Sequence, residues 1–452
     1  MYFRGQKFFV AGMSVSGESS ARFLLERGAE VYIYDDVIND KISEVMAELA
    51  GLGAHIVTPE TCEASALRCD ILVLSPGIPI DNALPVSFRK QGKAIIGEEE
   101  LAANYLRATA VAVTGTNGKT TTVTMINEVL NAMGVHSVAC GNNGNPLIRE
   151  VENLTFSDYA VIEISSFQLE TLTSLRPHIA VVTNITEDHL NRHYNMENYI
   201  YLKSKILRNL KESEFAVLNY DDPVVRSFSK NTKAKVIYFS MQSRVDGAYF
   251  ENGGIYFNGE KYFDLTDMTI GGVHNVYNAL ACVAVAGILK LDKRRAGEAV
   301  CAFKGVKHRI EKVREVGGVT YVDDSKGTNV DAALKAAQTM SCSTVILLGG
   351  KDKGDDYVPL FSGLSSTPVV HAVIYGENRF KMLNAAIKAG FVSFSLCSEF
   401  ETAVKIAQFT AKPGQCVLLS PASSSFDSFL NYEERGDAFR QIVEKIDENE
   451  VR

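Results

Sequence analysis

The sequence predicts an α/β protein built on mostly parallel sheets and divided into several domains. Short runs rich in Val and Ile alternate with helical patterns almost from end to end, which is the βαβ signature of parallel sheets. These runs fall into three groups along the chain. At 452 residues the chain is also too long for one hydrophobic core, so two or three domains are expected.

The first group is KFFVAG, a helical pattern through Ala21–Arg27, then VYIYDD and DILVLSPG. The second opens at TAVAVTG and includes YAVIEIS, IAVVTNI and FAVLNYDD. After it, Val245–Met268 carries Asn/Gly turns between short aromatic runs, which predicts an antiparallel appendage to the middle domain. The third group includes VTYVDDS, TVILLGG, HAVIYGE and CVLLSPAS. Boundaries near Gly97–Glu100 and Phe303–Lys307 give domains 1–97, 98–305 and 306–452. In open α/β sheets the ligand crevice lies at the carboxyl ends of the strands, so residues just after each run are the functional candidates.

Composition narrows the function. The apolar fraction of 46% and charged fraction of 22% are those of an ordinary globular protein. A formal charge of −8 argues against nucleic acid as partner, and it means that an anionic ligand must be met by local donors. The first residues lack the apolar run of a signal peptide, and no apolar stretch has the length of a membrane span, so no membrane insertion is expected. Eight cysteines without a CxxC pair or zinc-like spacing predict reduced thiols and a cytoplasmic location.

AVAVTGTNGKTTT reads as strand, Gly-rich turn and helix start. Such a loop aims backbone N–H groups and the helix dipole at phosphate oxygens. Lys119 is placed to reach the outer phosphates and the Thr120 hydroxyl to ligate Mg²⁺. The strict pattern has a further Gly where this chain has Val113, so the match is to G-x-x-G-K-T. At the N-terminus, Gly12-x-Ser14-x-x-Gly17 has Ser at the position whose Gly admits a pyrophosphate. Asp35 and Asp36 end the next strand, where a ribose-binding acid would sit. That segment reads equally as a degenerate nucleotide site or a tight turn. Glu163, at the end of a buried-strand pattern, suits a Mg²⁺ ligand or a turn cap; His189 and Lys205, taken alone, read as a structural histidine and a solvated helix lysine. Their order behind a phosphate loop is what singles them out.

With those residues in view, the chain resembles the Mur ligase family. The resemblance is carried by TGTNGKTT (Thr114–Thr121), EISSFQLE (Glu163–Glu170), TNITEDHL (Thr183–Leu190) and the Tyr201/Lys205 spacing. It continues through HNVYN (His274–Asn278), KHRIE (Lys307–Glu311), DDSKGTN (Asp323–Asn329), GGKDK (Gly349–Lys353) and SPASSSFDSFLNYEER (Ser420–Arg435). It implies three domains: a Rossmann-like N-terminal domain for a UDP-linked substrate, a central P-loop ATPase-like domain for ATP, and a Rossmann-like C-terminal domain that helps bind an amino acid.

By motif match, Gly115, Thr116, Asn117, Gly118, Lys119, Thr120 and Thr121 would hold the triphosphate, and Asn275, Asn278, Arg309 and Asp324 the rest of the nucleotide. Lys119, Glu163, His189 and Lys205 would be catalytic. Thr120, Glu163, His189 and Lys205 would serve two Mg²⁺ ions, with Lys205 as a carbamate. Ser14, Val15, Ser16, Asp35, Asp36, Gly77, Asn142, Ser165 and Gln168 would face the UDP-linked substrate, and Thr328, Lys353, Ser425 and Tyr432 would form a D-glutamate pocket. Asp36 adds a second negative charge at the expected uracil site, and Gly327 and Ser423–Ser425 depart from commoner forms of their motifs.

The activity implied is ATP-dependent joining of D-glutamate to UDP-N-acetylmuramoyl-L-alanine by a cytoplasmic monomer, in cell-wall synthesis that supports cell shape and division. Alternatives are a Mur-type or folate-glutamylating ligase for another amino acid, or a non-catalytic nucleotide-binding regulator. The Asn-Pro-Arg motif of relatives that add lysine or diaminopimelate does not occur in the chain.

Overall fold

A computed structural model describes residue 3, residues 5–352 and residues 354–447. The described chain forms three sheets. It divides into two compact units, one made of Met1–Ile185, Asn195–Met268 and Val276–Phe303, the other of Thr186–Tyr194, Thr269–Asn275 and Lys304–Arg452.

The first unit holds two of the sheets. Strands β1 (Lys7–Ala11), β2 (Glu30–Tyr34), β3 (His55–Ile56), β4 (Ile71–Leu74) and β5 (Ala94–Ile96) run parallel in the order 3-2-1-4-5. The order reverses between β1 and β4, the switch point at which open sheets bind ligands. There the Ser75 hydroxyl donates to the Gly12 carbonyl at 2.8 Å. The first helix, Val15–Glu26, starts earlier than the apolar pattern indicated. A Cβ at Gly17 would lie 1.7 Å from the Gly12 carbonyl oxygen, so glycine is required where that helix crosses the turn.

The second sheet comprises β6 (Thr109–Thr114), β7 (Ser137–Gly141), β8 (Tyr159–Glu163), β9 (Ile179–Val182), β10 (Phe215–Asn219), β11 (Lys235–Ser240), β12 (Gly247–Glu251), β13 (Gly254–Phe257) and β14 (Glu260–Asp264). Its order is 14-13-12-11-10-9-6-8-7, parallel except for the β12–β13–β14 meander. That meander is the appendage expected from the Asn/Gly turns. Val111, Val161, Val181 and Val217 sit mid-sheet and are fully buried, because strands covered on both faces need apolar side chains on both. One core cluster joins Phe8 and Val10 of the first sheet to Ala110, Ile162 and Val182 of the second through Leu101.

The second unit holds β15 (Glu311–Val316), β16 (Val319–Asp323), β17 (Thr344–Gly349), β18 (Val369–Tyr375), β19 (Phe394–Leu396) and β20 (Cys416–Leu419) in the order 15-16-20-17-18-19. All pairs are parallel but β15–β16. No described helix is long and apolar enough to cross a membrane.

Candidate active site

The phosphate loop leaves β6 and enters the helix Lys119–Ala132. Two of its glycines are fixed by space and by backbone. Gly115 has φ +143°, and a Cβ there would lie 1.9 Å from Thr183 Oγ1; Gly118 has φ +84°, and a Cβ would meet Asn278 Oδ1 at 2.5 Å. The loop is pinned from the chain after β9. Thr116 N–H donates to the Asn184 carbonyl at 2.8 Å and Asn117 N–H to Asn184 Oδ1 at 3.0 Å, while Thr183 Oγ1 and Asn184 Nδ2 donate to the Asn117 carbonyl. The Lys119 ammonium donates to the carbonyls of Gly115 (3.0 Å) and Thr116 (2.7 Å). Thr120 is buried, and the buried Thr121 hydroxyl has no hydrogen-bond partner. An orphaned hydroxyl in the first turn of a helix, beside N–H groups without intrahelical acceptors, is what an incoming phosphate would satisfy.

Glu163 is the last residue of β8, buried and in register with Val113 of β6. Asn142 holds it twice, with its backbone N–H on the Glu163 carbonyl (2.9 Å) and Nδ2 on Oε1 (3.0 Å). The Glu163 carboxylate and the Thr120 hydroxyl are the hard oxygen donors that Mg²⁺ takes, so this donor set fits the ion. Ser165 caps the helix Ser166–Thr171 in a reciprocal box with Gln168. Gln168 is buried, and its Nε2 donates to Glu99. Asn278 is buried with Oδ1 accepting from Thr122 Oγ1 at 3.2 Å.

Lys205 does not lie where the spacing placed it. Its ammonium donates to the carbonyls of Leu169 and Glu170, at the end of the helix Ser166–Thr171, so it caps that helix. Burial pushes its pKa down from the ordinary lysine value. It is therefore neither a solvated lysine nor one directed at the phosphate loop. The lysine of this segment that joins Lys119 at the loop is Lys203. It is 2% exposed and donates to the Gly115 carbonyl at 2.7 Å and to Thr114 Oγ1 at 3.4 Å. One turn earlier, Tyr199 is 1% exposed with its hydroxyl 3.0 Å from Thr116 Oγ1, whereas Tyr201 is 63% exposed. Tyr-x-x-x-Lys therefore occurs twice in overlapping registers. Two residues of offset turn a helical side chain by about 200°, and only the earlier register faces the loop.

On the first sheet, Ser14 stands before the helix Val15–Glu26 without a side-chain cap; Val15 is exposed and Ser16 half-buried. Asp35 is occupied by the loop after β1 and by its own turn, accepting from Met13 N–H at 2.6 Å and Val37 N–H at 2.9 Å. Asp36 accepts from the Tyr34 hydroxyl and lines a cavity of about 450 Å³ with Tyr34, Pro59, Cys62, Ile78 and Leu84. Gly77 is exposed in the loop after β4.

The second unit gathers the other candidates. His189 adopts φ 55° ahead of the helix Leu190–His193; its N–H donates to Asp188 Oδ1 at 2.9 Å and its Nε2 lies 3.5 Å from Asp188 Oδ2. Asn275 Nδ2 donates to the Gly271 carbonyl at 2.8 Å. Arg309 is half-buried, beside the buried Asp324. Burial raises the Asp324 carboxyl to about 7, although Arg309 and the Ser420 hydroxyl, 2.6 Å away, oppose the rise. Thr328 is half-buried, Ser425 is buried, and Tyr432 opens the helix Tyr432–Glu444 with its hydroxyl accepting from Lys326 Nζ at 3.1 Å. Lys353 lies outside the described residues.

Arg435 carried no predicted role, yet it organises these loops. Fully buried, it donates from Nε to Ser325 Oγ (3.0 Å), from Nη2 to the Ser325 carbonyl (2.8 Å) and from Nη1 to the Ser423 carbonyl (3.1 Å). It ties the DDSKGTN loop to the SPASSS loop. His308, Glu311 and Asp323 bring ligand-type atoms within 4.8 Å of one another. Those atoms are already engaged: His308 Nδ1 with Asp323 at 2.7 Å, Glu311 with the His308 N–H and with Arg440. The group reads as a buried ion pair, with Asp323 raising the His308 pKa.

Three family models match the chain. Residues 6–97 match a Mur ligase MurD-like N-terminal domain, 113–286 a Mur ligase middle domain, and 308–423 a Mur ligase glutamate ligase domain. A UDP-N-acetylmuramoylalanine–D-glutamate ligase of Geotalea uraniireducens is 40% identical over 98% of both chains. The chain belongs to the Mur ligase family. A ligase of the same name from a Thermoanaerobacter species is 39% identical over 99% of this chain and 100% of its own.

Among solved structures, the UDP-N-acetylmuramate-alanine ligase of Thermotoga maritima matches with a TM-score of 0.64 at 20% identity, covering 97% of this chain and 100% of its own. A MurF ligase from Thermotoga maritima, solved with ADP, matches with a TM-score of 0.61 at 17% identity over 98% and 96%. At such identities the likeness is one of fold. In this Mur ligase the phosphate loop, Glu163, Lys203 and Asn278 all lie within the matched middle domain, whereas Ser425, Tyr432 and Arg435 lie beyond the matched end of the glutamate ligase domain.

Proposed function

We propose that this Mur ligase joins D-glutamate to UDP-N-acetylmuramoyl-L-alanine, converting ATP to ADP and phosphate, in peptidoglycan precursor synthesis. The observation that carries the reading is the full-length 40% identity to a ligase of that name. The intact geometry of the phosphate loop supports the ATP half.

An alanyl carboxylate oxygen attacks the γ-phosphorus and ADP leaves. The amine of D-glutamate then attacks the acyl carbon, phosphate leaves with the attacking oxygen, and an amide remains. The backbone N–H groups opening the helix Lys119–Ala132 would hold the phosphates. Lys119 would turn from the Gly115 and Thr116 carbonyls to the outer phosphate oxygens. Thr120 and Glu163 would hold Mg²⁺, which when bound offsets the repulsion between carboxylate and triphosphate. Asn142 keeps the Glu163 carboxylate in place.

Lys203, not Lys205, is the lysine we assign to carbamate formation. A neutral amine attacks CO₂, an N–C bond forms, a proton is lost, and an anionic oxygen ligand results at the loop. Thr328, Ser425 and Tyr432 would meet D-glutamate in the second unit, their loops held by Arg435. The reading extends to a cytoplasmic monomer acting in growth and division of the cell wall.

Release of ADP tests the reading. With UDP-N-acetylmuramoyl-L-alanine present, D-glutamate is expected to support turnover at least about a hundredfold better than L-glutamate or L-lysine, since a site built around specific polar groups rejects what leaves them unpaired. Preference for a basic amino acid would overturn it.

A further inference from the structure

The helix Glu98–Ala103 opens with three consecutive glutamates, and all are buried, at 2%, 1% and 6% exposure for Glu98, Glu99 and Glu100. Glu100 has donors enough to remain charged: Thr173 Oγ1 at 2.6 Å, Thr173 N–H at 2.7 Å and Ser174 N–H at 2.8 Å. Glu98 and Glu99 do not. Glu98 Oε1 accepts from Ile148 N–H at 2.5 Å and Glu99 Oε1 from Gln168 Nε2, while the second oxygen of each is buried without a partner among the donors. Two carboxylates side by side in a dry site cannot both ionise. Burial pushes Glu98 well above the usual carboxyl range, and Glu99 adds to the rise; burial also raises Glu99. One proton held between the two carboxyls supplies the missing donor. Arg149 and the buried Cys140 thiol also face the pair, and Glu150 faces Cys140.

Glu99 has a specific partner. Gln168 spends its Nε2 on Glu99 and its Oε1 on the Ser165 N–H (2.8 Å) and hydroxyl (2.9 Å), while its own N–H returns to Ser165 Oγ. Each atom of that carboxamide able to hydrogen-bond is committed to holding one turn, and this turn begins two residues after Glu163. The start of the helix Glu98–Ala103 also approaches the end of the helix Ser166–Thr171 closely, since a Cβ at Gly97 would lie 2.6 Å from Thr171 Oγ1.

We propose that Glu99 is a positioning residue: through Gln168 it fixes the Ser165–Gln168 turn, whose Ser165 and Gln168 the family resemblance turns toward the UDP-linked substrate, and it thereby sets the affinity for that substrate. This rests on the ligase reading above. Removing the Glu99 carboxyl leaves Gln168 Nε2 buried without its acceptor and frees the turn to shift. A glutamine at 99 keeps a carbonyl for Gln168 and offers Glu98 an amide donor in place of the shared proton.

Steady-state kinetics of the full chain with all three substrates test this. Glu99→Leu is expected to raise KM for UDP-N-acetylmuramoyl-L-alanine about tenfold, the scale of one buried hydrogen bond lost, with KM for ATP changed less than about twofold. Glu99→Gln is expected to restore that KM to within about threefold of wild type. Gln168→Leu removes that bond together with the two that Gln168 accepts from Ser165 and must give a selective rise at least as large, which keeps the test alive if Glu99→Leu does not fold. An unchanged KM in the leucine variants overturns the proposal. So does a uniform loss across all substrates with a lower melting temperature, or failure of Glu99→Gln to rescue. Failure of the ligase reading would look different, because the wild-type chain would then release no D-glutamate-dependent ADP.

Discussion

Replacing Lys119 by alanine is expected to cut turnover at least about a thousandfold while the melting temperature changes by only a few degrees. The chain carries a formal charge of −8, so the triphosphate is held by local donors against the global field. Lys119 opens the helix after the loop and donates to the Gly115 and Thr116 carbonyls, and the Gly115 carbonyl keeps the Lys203 ammonium as a donor when Lys119 is removed. Its removal therefore costs little folding energy. Alanine at the first position of the helix Lys119–Ala132 is well tolerated by the backbone. The charge it brings to the transferring phosphoryl group has no substitute in the neighbouring threonines. ADP formation near the wild-type rate in Lys119→Ala would show that this loop does not bind the reacting phosphates.

Lys203→Ala is expected to lose activity by at least about a hundredfold and to recover part of it with a small added carboxylate such as acetate, whereas Lys205→Ala should retain activity within about fivefold. The contrast follows from where the two ammonium groups lie. Lys203 is enclosed against Gly115, Thr114 and Tyr199, where an anionic carbamate oxygen would sit beside the phosphate loop. Lys205 caps the helix Ser166–Thr171 by donating to two carbonyls at its end. Losing that cap should lower stability by about 1 kcal/mol, seen as a lower melting temperature instead of a lost reaction. Activity rates and melting curves of both variants check this together. An inactive, acetate-rescued Lys205→Ala beside an active Lys203→Ala would reverse the assignment.

The same pair shows where the sequence runs out. Tyr-x-x-x-Lys spacing is satisfied by Tyr199/Lys203 and by Tyr201/Lys205, and spacing alone does not say which face of a helix turns inward. Exposure decides it, and exposure is a tertiary property. The strands read from the sequence, such as TAVAVTG, YAVIEIS and TVILLGG, are buried on both faces and so announce themselves as continuous apolar runs. The missed strands are edges or short pieces, except Lys235–Ser240, which pairs on both sides within the second sheet. His55–Ile56 is exposed, Phe394–Leu396 is a three-residue edge, and Glu311–Val316 carries four charged residues among six along an antiparallel edge pair.

The phosphate loop was legible because local chain geometry demands its glycines. Arg435 was not, although it ends a quoted motif. An arginine following two glutamates reads as a solvated helix face until two loops from elsewhere in the second unit close over it. Likewise, a pair of aspartates ending β2 gave no sign that Asp35 is taken by the loop after β1 and its own turn while Asp36 faces the cavity.

In the proposed reaction the alanyl carboxylate of the UDP-linked substrate attacks the γ-phosphorus before the amine arrives. Supplying UDP-N-acetylmuramoyl-L-alanine with heavy oxygen in that carboxylate, together with ATP and D-glutamate, tests it directly. Acyl-phosphate chemistry transfers one carboxylate oxygen to phosphate for each amide formed, so the released phosphate should carry one heavy oxygen, read from its phosphorus resonance or its mass. Amide formed with phosphate that contains no label would contradict the mechanism.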